Sequence, residues 1–193
     1  MSTPADLHAH IRRRAAELVG GEAEFQALAD AEVARVQQLW NQNTDAIGRI
    51  LRAHLFVEHF LTEYLEKTNP QLGSLEKARL SFAQKTALLS TTDAGVADSL
   101  PGIKHLNSIR NKLAHRTDTP VTENDASAFM SCRMFAAQQA QKSGPGTAGK
   151  QPIDVLEAFA KYTGIVFTYE HSLLSRAMAT AIAELMPPRS HPE

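Results

Sequence analysis

The sequence predicts an all-α protein, a helical bundle with extra helices at its N-terminus and one long helix near its C-terminus. Apolar residues recur at spacings of three and four along most of the chain, and helix caps and breakers punctuate them at regular intervals. Alternating strand patterns are nearly absent: the one strand-like run, "TGIVFTY" at 163–169, lies inside a helical pattern. With 43% hydrophobic residues in 193, the chain can bury a substantial core.

Three helices are predicted in the first 67 residues, from end signals in the first and from apolar periodicity in the other two. Pro4 suits the first position of the first helix, and Gly20 and Gly21 end it. A second helix is predicted over 22–41 and a third over 45–67. The third is apolar around much of its circumference, which is typical of the central helix of a bundle.

Four more helices are predicted in the rest of the chain. The first covers 75–90 and the second begins at Pro101. The third covers 123–142 and the fourth covers 153–186. Thr122 and Asp125 form a capping box that opens the third of these. The expected organisation is an N-terminal extension (1–43), a helical core (44–142), a flexible loop (143–152), the long helix (153–186) and a tail (187–193).

Composition narrows the classes of function. The formal net charge is −1, so any nucleic-acid site must be a local patch. Cys132 is the only cysteine, which excludes an internal disulfide and suits a reducing compartment. The N-terminus lacks an apolar run typical of a signal peptide, and no segment approaches the ~18 apolar residues of a membrane span. We therefore expect a soluble cytoplasmic protein that does not enter the membrane.

The stretch "LNSIRNKLAHRT" at 106–117 is the most informative segment for function. Its helical period predicts a stripe that faces the core, formed by Ile103, Leu106, Ile109 and Leu113. Asn107, Asn111 and His115 step by four residues and form a polar stripe beside it. Arg110 flanks the polar stripe. Arg110 and His115 are five residues apart, about 140° around a helix, so they converge on one ligand only if the helix ends before His115 or a second copy contributes one of them.

The charge around this stretch is locally basic. Residues 99–117 contain Lys104, Arg110, Lys112 and Arg116, together with two of the histidines and none of the 21 acidic residues. Such an island attracts a phosphate group. An alternative remains open at this point, because cations also favour the C-terminal end of an ordinary helix.

The segment "RNKLAH" resembles the signature of the HEPN domain family, in which Arg, a polar residue and then His follow at short spacing. Here these residues are Arg110, Asn111 and His115, and the resemblance extends over about 45–142. It implies an α-helical, metal-independent endoribonuclease without a cofactor, whose active site forms across a homodimer. A role as a toxin or antiviral defence effector, with an antitoxin or another defence-system protein as partner, is also implied.

The resemblance assigns roles to particular residues. Arg110, Asn111 and His115 are the expected catalytic residues, and the expected RNA contacts are Lys104, Asn107, Lys112 and Arg116. In some toxins of the family a modified Tyr stands two residues after the His, whereas this chain has Thr117 there. Control by modification of that tyrosine is therefore not expected.

Two more pairs fall within the range of the signature, Arg49 with His54 five residues later and Arg52 with His59 seven residues later. Neither arginine is followed by a polar residue, and both lie inside the apolar third helix. Five residues separate His54 from His59, which makes them unsuitable as a zinc-binding pair. Glu58, on the same helix, is expected to support Arg110 by pairing with its guanidinium.

A second interpretation belongs to a different class of function. The architecture is loosely similar to the mannitol operon repressor family, whose members are helical proteins of similar length. In that interpretation the chain is a non-catalytic regulatory or protein-interaction module, and Arg110, Asn111 and His115 are structural or bind a ligand without cleaving it.

Overall fold

A computed structural model describes residues 4–75, 77–115, 120–142, 151–169 and 171–185. The described residues are helical apart from turns and short connections and contain no strand, which confirms the all-α class. No helix among them is both long enough and apolar enough to cross a membrane. The chain divides into two compact units, Met1–Asn43 and Thr44–Glu193.

The N-terminal unit is a hairpin of α1 (Pro4–Val19) and α2 (Glu22–Trp40). Gly20 and Gly21 adopt φ values of 107° and 126° at the turn, a backbone region that side chains disfavour. Ala16 is the one described residue of this unit that is buried. The hairpin therefore owes its form to its turn and to contacts between its two helices rather than to a core of its own.

The C-terminal unit contains the hydrophobic core. Its helices are α3 (Thr44–Thr68), α4 (Phe82–Ala87), α5 (Ala94–His115), α6 (Glu123–Met130), α7 (Arg133–Lys142), α8 (Pro152–Tyr169) and α9 (Leu173–Leu185), with a short 3₁₀ turn at Pro70–Leu72. Helix α3 packs along α8, and α5 contacts both of them as well as α4, α6 and α7. Seven residues of α3 are buried, but Leu51, Leu55 and Phe56 are exposed, so α3 is packed on one side only and α5 contacts more helices than α3 does.

Aromatic rings fill the space between α5, α6, α7 and α8. Phe159 stacks on Phe129 with ring centroids 4.8 Å apart and meets Phe135 edge to face at 5.4 Å. Gly102 lets α5 approach this cluster, because a Cβ at that position would lie 2.3 Å from the ring of Phe159. The close approach fixes α5, and with it the basic stretch, against the core.

Two predicted helix starts differ from the structure. The helix expected over 75–90 begins only at Phe82, where Ser81 and Gln84 form a capping box. Helix α5 begins at Ala94 rather than at Pro101, which lies inside it. The reason for the earlier start is Asp93, whose carboxylate accepts hydrogen bonds from the backbone N–H groups of Gly95 and Val96.

Two predicted helices are each divided in the structure. The segment 123–142 forms α6 and α7, because the Asp98 carboxylate on α5 accepts hydrogen bonds from the backbone N–H groups of Arg133 and Met134 and so caps α7. The segment 153–186 forms α8 and α9, and Ser172 caps α9. The capping box of Thr122 and Asp125 at the start of α6 is confirmed, as is the helical state of 163–169. Residues 143–150 and 186–193, on which the loop and tail predictions fall, lie outside the described residues.

Candidate functional site

Helix α5 presents its predicted apolar stripe to the core. Ile103 and Leu106 are fully buried, Ile109 is 1% exposed, and Leu113 packs against the same cluster at its edge. This confirms the predicted orientation of the helix. The polar residues between these positions are consequently held at or near the surface of the C-terminal unit.

Arg110 and Asn111 lie together on the exposed side of α5. The Arg110 guanidinium donates a hydrogen bond of 3.4 Å from Nη1 to Asn111 Oδ1. No carboxylate among the described residues forms an ion pair with Arg110. The guanidinium is thus in contact with a neutral side chain and retains donors for a further ligand.

Asn107, one turn before Asn111, is joined to a buried histidine on α3. The distance between His54 Nε2 and Asn107 Oδ1 is 3.2 Å. The His54 ring is 5% exposed and lies against Phe82, with ring centroids 4.3 Å apart. Burial lowers the pKa of His54. The Asn107 bond and the Glu58 carboxylate oppose this effect, and the positive charges of Arg110 and Lys85 add to it.

Glu58 does not have the partner that the sequence suggested. Its Oε1 accepts a hydrogen bond of 2.9 Å from Nζ of Lys85 on α4, and its Oε2 lies 4.0 Å from His54 Nδ1. The prediction that Glu58 pairs with Arg110 is therefore wrong, because the Glu58 carboxylate is bonded to Lys85. Lys85 is only 8% exposed, so the partly buried carboxylate neutralises a cation that would otherwise be costly to bury.

The third catalytic candidate lies at the end of α5. The helical backbone continues to His115. Positions 110 and 115 therefore lie about 140° apart around the helix, and the early helix end that would let them converge within one copy does not occur. The side chain of His115 and all of Arg116 and Thr117 lie outside the described residues.

The remaining basic candidates are spread around α5. Lys104 and Lys112 are exposed, and neither pairs with a carboxylate among the described residues. Lys112 is two residues after Arg110 and therefore lies about 160° away from it around the helix. Lys104 is seven residues before Asn111 and lies on the same face of the helix as Asn111. The basic island is thus a band around the helix rather than a single pocket.

One histidine of the basic island, His105, is hydrogen-bonded to a carboxylate of α6. His105 Nε2 lies 2.9 Å from Asp125 Oδ1, and Asp125 also caps α6. The Asp125 pKa is lowered: burial alone would raise it, and the hydrogen bonds from Thr122 and His105 outweigh that effect. His105 therefore connects α5 to α6 through the carboxylate that caps α6.

The other two arginines that precede a histidine at short spacing, Arg49 and Arg52, are in a different environment. Arg49 donates hydrogen bonds of 2.5 Å to Asp154 and 2.7 Å to Glu157, and Arg52 also bonds Glu157. These contacts hold the pKa of Glu157 at about 2 and raise that of Arg49. Both arginines join α3 to α8, and their charges are neutralised there.

From the sequence, His54 is considered only as a metal ligand and rejected in that role, and its contact with Asn107 is not predicted. His54 stands four positions before Glu58, so the two share one face of α3, and a histidine on the apolar side of that helix was the available signal. His54 and Asn107 are in contact although they are 53 residues apart in the sequence. No group of three or more His, Cys, Asp or Glu residues suited to a metal ion occurs within the described ranges.

No family model, curated protein sequence or solved structure matches the chain.

Proposed function

We propose that the chain is a metal-independent endoribonuclease that cleaves RNA by attack of a 2′-OH on the adjacent phosphate. The bond from phosphorus to the 5′-oxygen breaks as the new one forms, and the products are a 2′,3′-cyclic phosphate and a 5′-OH. The observation that carries the proposal is the state of Arg110, which is exposed, bonded to a neutral asparagine and without a carboxylate partner in the described residues.

Arg110 has the chemistry to stabilise the transition state. Negative charge develops on the phosphoryl oxygens during attack, and a guanidinium offers two parallel N–H donors to them. Asn111 keeps the Arg110 side chain on this face of α5 through the 3.4 Å bond. The lack of acidic residues in 99–117 leaves the charge of Arg110 uncompensated by that segment.

His115 is the proposed acid–base residue. The reaction needs a base for the 2′-OH and an acid for the 5′-oxygen, and imidazole serves both near neutral pH. In-line attack places these two oxygens on opposite sides of phosphorus, which one histidine does not reach at once. Because α5 continues to position 115, Arg110 and His115 of one copy lie on different sides of the helix. A homodimer with two facing α5 helices supplies both groups, and this is the assembly we propose.

The proposed substrate contacts extend along α5. Lys104 and Lys112 are exposed. Lys104 shares the face of Asn111 and would contact a neighbouring phosphate, whereas Lys112 lies on the far side of α5 from Arg110 and would contact a more distant part of the RNA. A role as a toxin or defence effector in the cytoplasm, held inactive by a partner protein, follows from the resemblance to HEPN ribonucleases and belongs to the same proposal.

The test compares the wild type with His115→Ala on mixed RNA in the presence of EDTA. We expect the wild type alone to cleave and to leave 2′,3′-cyclic phosphate ends, with a loss of at least about 100-fold in the variant. DNA of the same base sequence is the substrate control, because it lacks the 2′-OH.

Size-exclusion chromatography and thermal unfolding of both proteins show whether the variant remains a folded dimer. If both are folded dimers and neither cleaves RNA, the nuclease proposal is wrong, and the non-catalytic regulatory module becomes the better description.

A further inference from the structure

A cluster of polar side chains lies between α3, α4 and α5. His54 and Lys85 are buried, Glu58 and Asn107 are partly exposed, and Phe82 packs on the His54 ring. Each buried polar group costs free energy unless it is hydrogen-bonded, and an apolar side chain at position 54 would avoid that cost. The presence of a histidine there therefore points to a specific task.

The hydrogen bond between the two helices fixes the orientation of Asn107. An amide oxygen only accepts hydrogen bonds, so His54 Nε2 carries a proton and donates it to Asn107 Oδ1 over 3.2 Å. The imidazole cannot turn freely, because Phe82 covers its face and Glu58, held by Lys85, lies beside Nδ1. Oδ1 of Asn107 is thereby held toward the interior.

The other end of the Asn107 amide consequently points away from the core. Asn107 is partly exposed, and Nδ2 forms no hydrogen bond with any described residue, yet it is not among their buried unsatisfied atoms. Its two N–H donors therefore reach solvent, one turn before Arg110 and Asn111 on the same helix. Asn107 and Arg110 are three residues apart on α5, so their side chains are neighbours on the helix surface.

We propose that His54 is a positioning residue for the phosphate site: it holds the Asn107 amide so that its N–H groups donate to a phosphate bound by Arg110. This inference rests on the proposed function. His54 itself is too buried to contact RNA, and it acts through Asn107. Burial keeps the His54 pKa below its usual value, which leaves the ring neutral near pH 7, in the state with one N–H. The charged groups that face it are Glu58 on α3, Lys85 on α4 and Arg110 on α5.

Two substitutions at position 54 separate positioning from packing. His54→Phe keeps an aromatic ring against Phe82 and removes the donor. His54→Gln keeps a donor, because the glutamine Nε2 occupies nearly the place of the imidazole Nε2. The Asn107 side-chain amide signals are followed by NMR as inorganic phosphate is added, and RNA cleavage and thermal unfolding are measured on the same samples.

We expect phosphate to shift the Asn107 amide signals in the wild type and in His54→Gln but not in His54→Phe. Cleavage should fall about tenfold or more in His54→Phe and recover to within about threefold in His54→Gln. Combining His54→Phe with Asn107→Ala should add little to the loss from Asn107→Ala alone, because both act through one amide.

The outcomes for the two proposals are separable. If phosphate shifts the wild-type amide but RNA is not cleaved, the nuclease proposal fails and the positioning role stands. If the wild-type amide does not respond to phosphate, or if His54→Gln and His54→Phe lose the response equally while remaining folded, the positioning role is overturned.

Discussion

Arg49 and Arg110 have the same spacing to a histidine and opposite surroundings. Arg49 on α3 is 22% exposed at its side chain and bonds two carboxylates of α8, Asp154 and Glu157. Arg110 on α5 is exposed and bonds only Asn111 among the described residues. The spacing alone therefore does not distinguish the two arginines. They differ in their partners, since the carboxylates bonded to Arg49 would compete with any phosphate there.

The difference originates in the helices that each arginine faces. Asp154 and Glu157 are three residues apart on α8 and therefore share the face that packs along α3. On α3, the carboxylate that the sequence suggested as the partner of Arg110, Glu58, is hydrogen-bonded to Lys85 instead.

The largest effect on stability should come from Arg49→Ala. It leaves Glu157, which is 16% exposed, with Arg52 as its remaining partner, and we expect a loss of about 2 to 3 kcal/mol in the free energy of unfolding. Arg110→Ala should cost no more than about 0.5 kcal/mol, as is usual for an exposed side chain without a buried partner. Urea denaturation of both variants at pH 7 measures the difference.

Arg52→Ala is the matched control for this pair of variants. Its side chain is 72% exposed although it bonds the same Glu157, so the expected loss is below about 1 kcal/mol. Equal losses in Arg49→Ala and Arg110→Ala would show that the two arginines are not distinguished by their partners.

A smaller effect is expected from the pH dependence of the Arg49 cluster. The folded-state pKa of Glu157 is about 2 and its ordinary value is 4.5, so the folded protein binds fewer protons than the unfolded chain in this range. The stabilisation is complete above pH 4.5 and is lost as the pH falls from 4.5 toward 2. With allowance for contact with solvent, the loss by pH 3 is about 1 to 2 kcal/mol.

Glu157→Gln should remove this part of the acid dependence, and Arg110→Ala should leave it unchanged. Urea denaturation at intervals between pH 3 and 6 gives the free energy of unfolding of both variants and of the wild type. The slope of this free energy against pH is then compared between the three proteins. A wild-type slope that Glu157→Gln leaves intact would mean that Glu157 keeps an ordinary pKa.

The sequence predicted those features that depend on neighbouring residues. The apolar period of α5 identified Ile103, Leu106 and Ile109 as core, and the capping box at Thr122 and Asp125 correctly marked the start of α6. The capping box of Ser81 and Gln84 was equally local and was missed, because the apolar residues before it suggested a longer helix.

Features that depend on distant residues were not predictable in this way. The division between α6 and α7 is set by Asp98, which lies 35 residues before Arg133. Glu58 pairs with Lys85 rather than with Arg110 because α4, which carries Lys85, packs against α3. The sequence alone does not show this packing. The bond from His54 to Asn107 is likewise a product of packing between α3 and α5.

The most direct test of the account is RNA cleavage by Arg110→Gln and Arg49→Gln, at a temperature where both variants and the wild type are folded. We expect Arg110→Gln to lose at least about 100-fold in cleavage rate, because it lacks the cation that stabilises the developing charge. Arg49→Gln should stay within about threefold of the wild type. Full activity in Arg110→Gln, or an equal loss in both variants, would contradict the assignment of Arg110 to the phosphate site.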